Sequence, residues 1–563
     1  MVQKNGLTKR MSLLSTLFTV LLITAILYMG NGDAISTAQA QKSRPLSTNS
    51  EKVYIKPGSL DQYYLFAGGG LSGNVYVYGV PSMRRIRTIP VFSTDSARGY
   101  GWDKHSKAML EGFTWGDAHH PALSETNGEY DGRWLFVNDN ANNRAALVDL
   151  KTFTTRQIIG PVPNIMGPHG TAFVTPNTEY FFMPSRFSVP LAGQYAPLEQ
   201  FTEQYYGVMA AIKMDKEKEK MELAWQVLLP PWSYDISDAG KKISDGWSVM
   251  TTYNTEEAAK SLAIGTTQAA HDYLVLFNWK EIAKQVSEGK YKTIAGAKVF
   301  DPAQYPGSVY LVPVEKNPHG VDVSPDGKYY VASGKLSPTV TVYDWEKTFA
   351  AIKNKAFQGT VRGLRVLNLN SVKAAQVTVG KGPLHTQFDD KGYAYTTLFV
   401  DHVVVKWKLG EWKVADKAAV QYAPGHLSAA EGDTVSPDGK WLVSINKWAK
   451  DSYLSVGPSQ PDSLQLIDIS GEKMKVIYNA PADPEPHYAQ IVKADKLKPI
   501  KVIPKDEKRP DSIWKKEDAR IERDGKAVHV YAMVEHGRFY SDEIKVKQGE
   551  RVIIHMTNAD LKE

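Results

Sequence analysis

The chain has 563 residues, of which 42% are hydrophobic and 23% charged, a balance typical of globular proteins and not of disordered, collagenous or multi-span membrane chains. Its net charge of +6 is too small for a dedicated nucleic-acid binder of this length. It contains no cysteine, which excludes disulfides, cysteine nucleophiles and thiolate metal sites, so any metal or redox chemistry falls to other residues such as the 13 histidines, 29 tyrosines and 13 tryptophans.

The first forty residues have the pattern of a secretory signal peptide. A basic start precedes an apolar run from Leu13 to Met29, and residues 38–40, Ala-Gln-Ala, form a small-x-small cleavage signature. An uncleaved membrane anchor is the alternative, because the apolar run is long enough to span a bilayer. The leader lacks an adjacent arginine pair, so we expect general secretion into a bacterial periplasm rather than twin-arginine export.

The region from residue 54 to residue 491 is a repeat of short strands. Segments rich in Val, Tyr, Phe, Thr and Trp alternate with Gly, Pro, Asn and Asp. Two stretches nearly repeat, VSPDGKYYVASGK from Val323 and VSPDGKWLVSINK from Val435, and weaker copies begin at Val174 and Phe388. Such strand-turn-strand units predict an all-β fold, a β-propeller of about seven blades, with six or eight left open.

The C-terminal part differs in composition. We assign residues 41–496 to the propeller, and residues 497–523, rich in Lys, Asp, Glu and Pro, to a charged linker. Residues 524–563 alternate apolar and polar side chains like the start of a β-sandwich with about three strands. A complete sandwich needs about 100 residues, so we expect the chain to stop part-way through this domain.

Several histidines occupy equivalent places in the repeat. A Pro/Gly turn precedes each, and a strand with a hairpin turn follows, at His169, His319, His385 and His426, while His487 repeats the first half of this pattern. Equivalent positions of successive blades converge at one mouth of a propeller channel, so these rings are expected to meet. Their separations are each near one blade, except the 150 residues from His169 to His319, which we interpret as about three blades. A mere repeat consensus is the alternative.

His119 and His120 are neighbours in WGDAHHPALS. Neighbouring side chains on a regular strand point to opposite faces, so both reach one site only where the backbone leaves strand geometry, which the following Pro121 favours. Asp117 is placed to orient one imidazole. Seven imidazoles suit copper or zinc, and they exceed the four ligands of one zinc ion, so they predict more than one metal ion.

Several motifs, in order from about Thr94 to Asp560, resemble the nitrous oxide reductase family: DAHHP, GPHGTAF, NPHG with SPDGK and GKLSPTVTV, GPLHTQFD with AYTTLF, PGH, VGP with LQLIDISGE, and EPH. The resemblance implies reduction of nitrous oxide to dinitrogen and water in the last step of denitrification. It implies a seven-bladed propeller that holds a tetranuclear copper cluster, CuZ, bridged by inorganic sulfide. The implied copper ligands are His119, His120, His169, His319, His385, His426 and His487.

The resemblance also implies calcium and a proton donor. The residues matching the family's first calcium motif are Tyr253, Glu256, Asp272 and Asn317, with a backbone ligand near residues 264–266. A second calcium site maps to the carbonyl of Lys447 and to Asp462, where the family pattern has Glu. Lys447, in the strand that follows His426, is also a candidate proton donor to the cluster.

The chain departs from the family at its C-terminus. The family's cupredoxin domain carries a dinuclear copper centre, CuA, and residues 524–563 resemble its start but stop before the ligands. CuA is therefore expected only in a missing C-terminal part; a fragment of a longer protein is the favoured explanation and a natural truncation the alternative. The resemblance further implies a head-to-tail homodimer, a periplasmic c-type cytochrome or cupredoxin as electron donor, and copper-site maturation factors.

A non-catalytic periplasmic propeller that binds a partner protein is the alternative function. It explains the repeats and aromatics as well as an enzyme does.

Six histidines match no ligand motif, and we expect structural, loop or surface roles for them: His105, His271, His402, His529, His536 and His555.

Overall fold

The structure is a computed structural model that describes residues 48–170, 174–259, 271–447, 462–500, 510–535, 537–541 and 543–559. It divides into two compact units, Met1–Tyr54 and Ile55–Glu563. In the first unit, the described residues form one helix, Thr48–Val53. The predicted signal peptide lies outside the described residues. No helix within the described ranges is long and apolar enough to cross a membrane.

The second unit consists mainly of short strands. They are β1 (Tyr63–Gly68), β2 (Asn74–Val80), β3 (Arg85–Pro90), β4 (Ala118–Thr126), β5 (Glu129–Asp139), β6 (Arg144–Asp149), β7 (Thr154–Ile159), β8 (Tyr180–Pro184), β9 (Val189–Pro190), β10 (Tyr205–Asp215), β11 (Lys220–Leu229), β12 (Ser233–Ala239), β13 (Trp247–Tyr253), β14 (Asp272–Asn278), β15 (Lys292–Ile294), β16 (Ala297–Phe300), β17 (Val309–Val314), β18 (Pro318–Val323), β19 (Tyr329–Gly334), β20 (Thr339–Asp344), β21 (Phe357–Val361), β22 (Leu364–Leu367), β23 (Lys373–Thr378), β24 (Pro383–Phe388), β25 (Tyr393–Leu398), β26 (Val403–Lys408), β27 (Lys413–Ala419), β28 (Pro424–Ala429), β29 (Trp441–Asn446), β30 (Ser463–Asp468), β31 (Lys475–Pro481), β32 (Ala489–Lys493), β33 (Arg520–Arg523), β34 (Val528–Glu535), β35 (Arg538–Tyr540) and β36 (Val552–Asn558).

The α-helices of this unit are short and lie between strands. They are Lys104–Leu110, Phe201–Gln204, Trp279–Ser287, Trp345–Lys353 and Leu369–Val372.

The described strands before residue 500 form seven sheets. In order from the innermost described strand outwards they are β32-β1-β2-β3, β4-β5-β6-β7, β8-β10-β11-β16-β15 with β9 beside β10, β12-β13-β14-β17-β22-β21, β18-β19-β20-β23, β24-β25-β26-β27, and β28-β29-β30-β31. Neighbouring innermost strands contact one another from β8 through β12, β18, β24 and β28 to β32, and β32 contacts β4. Each main hydrophobic cluster fills the space between two successive sheets. This radial arrangement confirms the predicted β-propeller.

The repeated SPDGK stretch is a tight turn between two strands of one sheet, as predicted. In the copy between β18 and β19, Gly327 N donates to Ser324 O (2.8 Å), and Asp326 Oδ1 accepts from Lys328 N (3.0 Å). Gly327 has φ +70°, and a Cβ atom there would lie 1.8 Å from the carbonyl oxygen of Lys241, so glycine is required. Tyr330, after the turn, is buried between sheets and stacks on Tyr343.

The prediction that His169 and His319 are about three blades apart is wrong. The interval contains the rest of the β8 sheet and the β12 sheet, so the two histidines are two sheets apart rather than three. Both sheets are enlarged to six strands, and the Trp279–Ser287 helix adds further length. Insertions within these two sheets therefore add residues between His169 and His319 without adding another sheet.

The strands after residue 510 form a separate sheet. β34 lies at its centre, antiparallel to β33 and β35 and parallel to β36. β33 begins at Arg520, inside the segment expected to be a linker. That this sheet starts a cupredoxin domain stays a prediction.

Candidate metal centre

The innermost strands share a local distortion at the residue that faces the channel. In β18, β24 and β28, the pairing register with the next strand shifts beside His319, His385 and His426. A proline lies one or two residues before each of these histidines. Because a β-bulge re-aims one side chain of a strand, the repeated bulge turns each imidazole inwards.

The same distortion explains the adjacent pair His119 and His120. The register between β4 and β5 shifts between Ala118 and Pro121, so the strand is irregular where both rings lie. The two ring centroids are 4.9 Å apart, in an edge-to-face arrangement. The predicted departure from strand geometry is thus present in the structure.

All seven predicted histidines converge in one buried cluster, each at most 4% exposed. His119 and His487 have ring centroids 3.5 Å apart, and those of His385 and His426 are 3.9 Å apart. His319 bridges the two sides, with its centroid 4.9 Å from His385 and 5.6 Å from His169.

Several Nε2 atoms point towards one another. His120 Nε2 lies 3.3 Å from His426 Nε2, and His169 Nε2 lies 3.0 Å from His487 Nε2. Within each of the triads His119, His120, His487 and His319, His385, His426, the candidate ligand atoms are within 4.8 Å of one another.

Carboxylates orient many of these rings from outside. His119 Nδ1 lies 3.1 Å from Asp117 Oδ2, as the sequence predicts. Asp235 serves two rings: its Oδ1 contacts His169 Nδ1, and its Oδ2 lies 2.5 Å from His319 Nδ1. Carboxylates at this position typically fix the ring and tautomer of a metal-bound histidine.

Asp235 is the functional residue that the sequence interpretation missed. It lies on β12, the innermost strand of the sheet between His169 and His319, and the β12 register shifts between Tyr234 and Ser237. Asp235 therefore occupies in its sheet the place that a histidine occupies in others. The signal available in the sequence was a blade without the histidine motif, whose inner-strand segment SYDISDA contains aspartate instead.

Burial favours the neutral form of several of these imidazoles. It lowers the pKa of His385 to about 3, and it lowers the pKa of His120, His426 and His487 well below the usual value, with neighbouring imidazoles and Lys447 contributing. Burial alone would raise the pKa of Asp235, but the facing His169 and His319 hold it well below its usual range. These four rings are thus neutral, the form that binds metal ions.

A cavity of about 270 Å³ opens onto one side of the cluster. Its wall includes the apolar side chains Phe187, Leu384 and Phe399 and the cation Lys335. Lys447 is fully buried beside it, with Nζ 3.2 Å from His487 Nε2, and burial lowers its pKa to about 7.

The predicted first calcium residues lie on neighbouring segments. Asp272 Oδ2 accepts from Asn317 N (2.8 Å), and its Oδ1 accepts from Thr255 Oγ1 (3.0 Å), beside Glu256. Burial raises the pKa of Asp272 to about 6. Tyr253, at the end of β13, is buried.

Part of the calcium prediction lies outside the described residues. This holds for the backbone ligand near residues 264–266. Asp462 itself is buried, and its Oδ2 accepts a hydrogen bond from Glu485 N at 2.7 Å.

Fold and site together define a β-propeller with a buried cluster of imidazoles whose ligand atoms are close enough to hold metal ions. Residues 417–487 match the family model described as the nitrous oxide reductase propeller repeat. This chain belongs to the nitrous-oxide reductase family of oxidoreductases, and the predicted family membership is confirmed.

The family assignment rests on similarity along most of the chain. The chain is 37% identical over 538 residues to the nitrous-oxide reductase of Pseudomonas fluorescens, and the match covers 90% of this chain and 81% of the relative. Identity to the Stutzerimonas stutzeri enzyme is 36% over 558 residues, with 94% and 84% covered. Identity to the Cupriavidus necator enzyme is 35% over 546 residues, with 90% and 81% covered.

Proposed function

We propose that this chain reduces nitrous oxide to dinitrogen and water, with two electrons and two protons, at a tetranuclear copper–sulfide cluster in the last step of denitrification. The observation that carries the proposal is the convergence of seven imidazoles from six sheets on one buried point. The names of the relatives supply the substrate.

The residues present fit copper. Within the described part of the chain, His119 Nε2 and His385 Nε2 are buried and have no hydrogen-bond partner. Leaving such atoms unpaired in the folded protein costs about 1–3 kcal/mol each, a cost that metal binding removes. An all-imidazole donor set suits copper, and any sulfide bound with it would be inorganic, since the sequence has no cysteine.

When bound, the copper cluster supplies the two electrons and polarises the oxygen that leaves. The seven histidines would hold it, while Asp117 and Asp235 keep three of the rings in position through their outer Nδ1 atoms. The cavity beside the cluster has an apolar wall formed by Phe187, Leu384 and Phe399, where a small, weakly basic molecule fits, and a charged wall that includes Arg186, Lys335 and Glu485. We assign Lys447 Nζ as a proton donor from its position beside this cavity.

The proposal includes calcium as a structural ion. Asp272, Asn317, Tyr253 and Glu256 offer the oxygen ligands that calcium prefers, and a buried carboxylate such as Asp272 gains from a nearby cation. The second proposed site comprises the carbonyl of Lys447 and Asp462. Both ions would tie neighbouring segments together.

We place the protein in the periplasm on the basis of its signal-peptide pattern. There it receives electrons from a c-type cytochrome or cupredoxin and copper from maturation factors. It acts as a head-to-tail homodimer.

The test is copper loading and turnover of the whole chain. The chain, with its own leader, is produced in a denitrifying host that supplies maturation factors. Copper and acid-labile sulfide are measured per chain, and isotopically labelled dinitrogen is measured with a reduced dye as donor. We expect copper, sulfide and dinitrogen together. His385→Ala removes dinitrogen formation and lowers the copper content, whereas His105→Ala, at an exposed histidine away from the cluster, changes neither.

Two outcomes would contradict the proposal. A folded wild-type chain that gains no copper with maturation factors would favour the non-catalytic, partner-binding propeller. A copper-loaded chain that forms no dinitrogen with the reduced dye would exclude nitrous oxide as the substrate of this chain by itself.

A further inference from the structure

A second histidine pair lies outside the propeller, on the C-terminal sheet. His529 is on β34 and His555 on β36, and these parallel strands place Tyr531 opposite His555. His529 Nδ1 lies 2.9 Å from His555 Nε2, and the rings are stacked with an interplanar angle of 11°. Their side chains are 22% and 20% exposed, so solvent ions reach them.

A carboxylate lies beside the far nitrogen of each ring. Asp524 Oδ2 is 3.3 Å from His529 Nε2, and Asp511 Oδ2 is 3.8 Å from His555 Nδ1. Asp524 accepts a hydrogen bond from His529 Nε2, which leaves His529 Nδ1 with a lone pair. His555 Nε2 donates a hydrogen bond to that lone pair across 2.9 Å, so the two facing nitrogens share one proton, which a metal ion would replace.

The sheet holds this pair in place. The His555 ring stacks on Tyr531 with centroids 4.6 Å apart, and the Arg520 guanidinium lies 3.8 Å from the centre of the Tyr531 ring. Residues 528, 530 and 532 of β34 point to the opposite, buried face. The two imidazoles thus lie on one face of a strand pair whose other face is packed in a hydrophobic cluster.

We propose that His529 Nδ1 and His555 Nε2 bind one divalent cation of the zinc or copper(II) class, with solvent molecules completing its coordination. Imidazole suits these ions, and the carboxylate–histidine–metal arrangement is their usual one. Zinc–imidazole bonds of about 2.0–2.1 Å span nitrogen atoms 2.9 Å apart at roughly a right angle, so the two partly exposed rings rotate outwards and separate slightly to reach tetrahedral geometry. This replaces the surface role expected for both residues, and it is independent of the buried cluster.

The test follows the two rings individually, because the buried cluster also takes up metal. The full-length chain is titrated with zinc sulfate, and carbethoxylation of each histidine is measured by peptide mass spectrometry. We expect zinc to slow modification of His529 and His555 together by at least tenfold while the exposed His105 stays reactive. His555→Gln abolishes protection of His529, whereas His105→Gln leaves it intact.

Asp524→Asn provides the second variant, because it keeps both imidazoles. It should raise the zinc concentration needed for protection by about 10–100-fold. Thermal unfolding verifies that each variant is folded. The proposal is overturned if zinc leaves both rings reactive, if His529 in a folded His555→Gln variant is protected at the wild-type zinc concentration, or if Asp524→Asn leaves the protection curve unchanged.

Discussion

At the scale of single residues, Asp235 contacts two imidazoles of the buried cluster. Its two carboxylate oxygens face His169 and His319, so one side chain orients rings from two different sheets. It is completely buried. An amide at this position has only one acceptor oxygen, so it satisfies one imidazole N–H and opposes the other with its own N–H groups.

Asp235→Asn should therefore lower the affinity of the centre for copper by about 10–100-fold, because one ring loses its orientation. The measurement is copper retained per chain during dialysis against a graded chelator. Asp245→Asn, at a surface carboxylate paired with Lys280 at 2.6 Å, is the matched control and should behave like the wild type. Equal copper retention in all three proteins would show that Asp235 does not position the ligands.

At the scale of elements, the strand β32 closes the propeller. It is the innermost strand of the sheet formed by β1–β3, so the two ends of the propeller are paired through it. Ile491 pairs with Leu65 and is completely buried, and His487 precedes the same strand. Closure of the ring and placement of one imidazole thus depend on one short element.

Ile491→Ala should lower the free energy of unfolding by about 2–5 kcal/mol, since it leaves a cavity at the closure. Denaturant unfolding followed by tryptophan fluorescence measures this. Lys493→Ala, on the same strand and half-buried, should change it far less because its ion pair with Asp438 is long, at 3.6 Å. Similar losses in the two variants would mean that the closure does not depend on packing at Ile491.

The elements also show what the sequence predicted and what it could not. The SPDGK turns predicted the propeller, and the Pro/Gly-His pattern predicted five of the seven converging rings, because both signals are local and repeat. The other two, His119 and His120, were predicted from their position before Pro121. Asp235 escaped detection because its blade carries no histidine and insertions stretched the interval around it. His529 and His555 escaped because parallel pairing joins strands whose sequences show no common pattern.

At the scale of the whole molecule, a second set of buried polar groups lies on the inner strands. Glu125, Asp238, Asp322 and Asp433 come from four different sheets or their connecting loops, and each is at most 5% exposed. Asp433 accepts hydrogen bonds from Tyr488 and Gln490, each at 2.7 Å. The propeller axis therefore carries clustered carboxylates as well as imidazoles.

This cluster should give the protein a measurable pH dependence through Asp238. Burial, with the nearby Asp433 and Asp322, raises its pKa to about 7 although Lys241 opposes the shift. Between about pH 4 and pH 7 the folded protein thus keeps a proton that the unfolded chain has lost, and this contribution to the free energy of unfolding falls as pH rises.

Asp238→Asn removes that contribution. The free energy of unfolding of the wild type, minus that of the variant, should therefore fall as pH rises from about 4 to about 7. The buried imidazoles contribute the opposite slope, because their pKa values are lowered, but they do so equally in both proteins. Denaturant midpoints at several pH values, in the same metal state, measure the difference. A difference that does not vary with pH, as expected for the surface variant Asp245→Asn, would mean that Asp238 is ionised in the folded protein throughout this range.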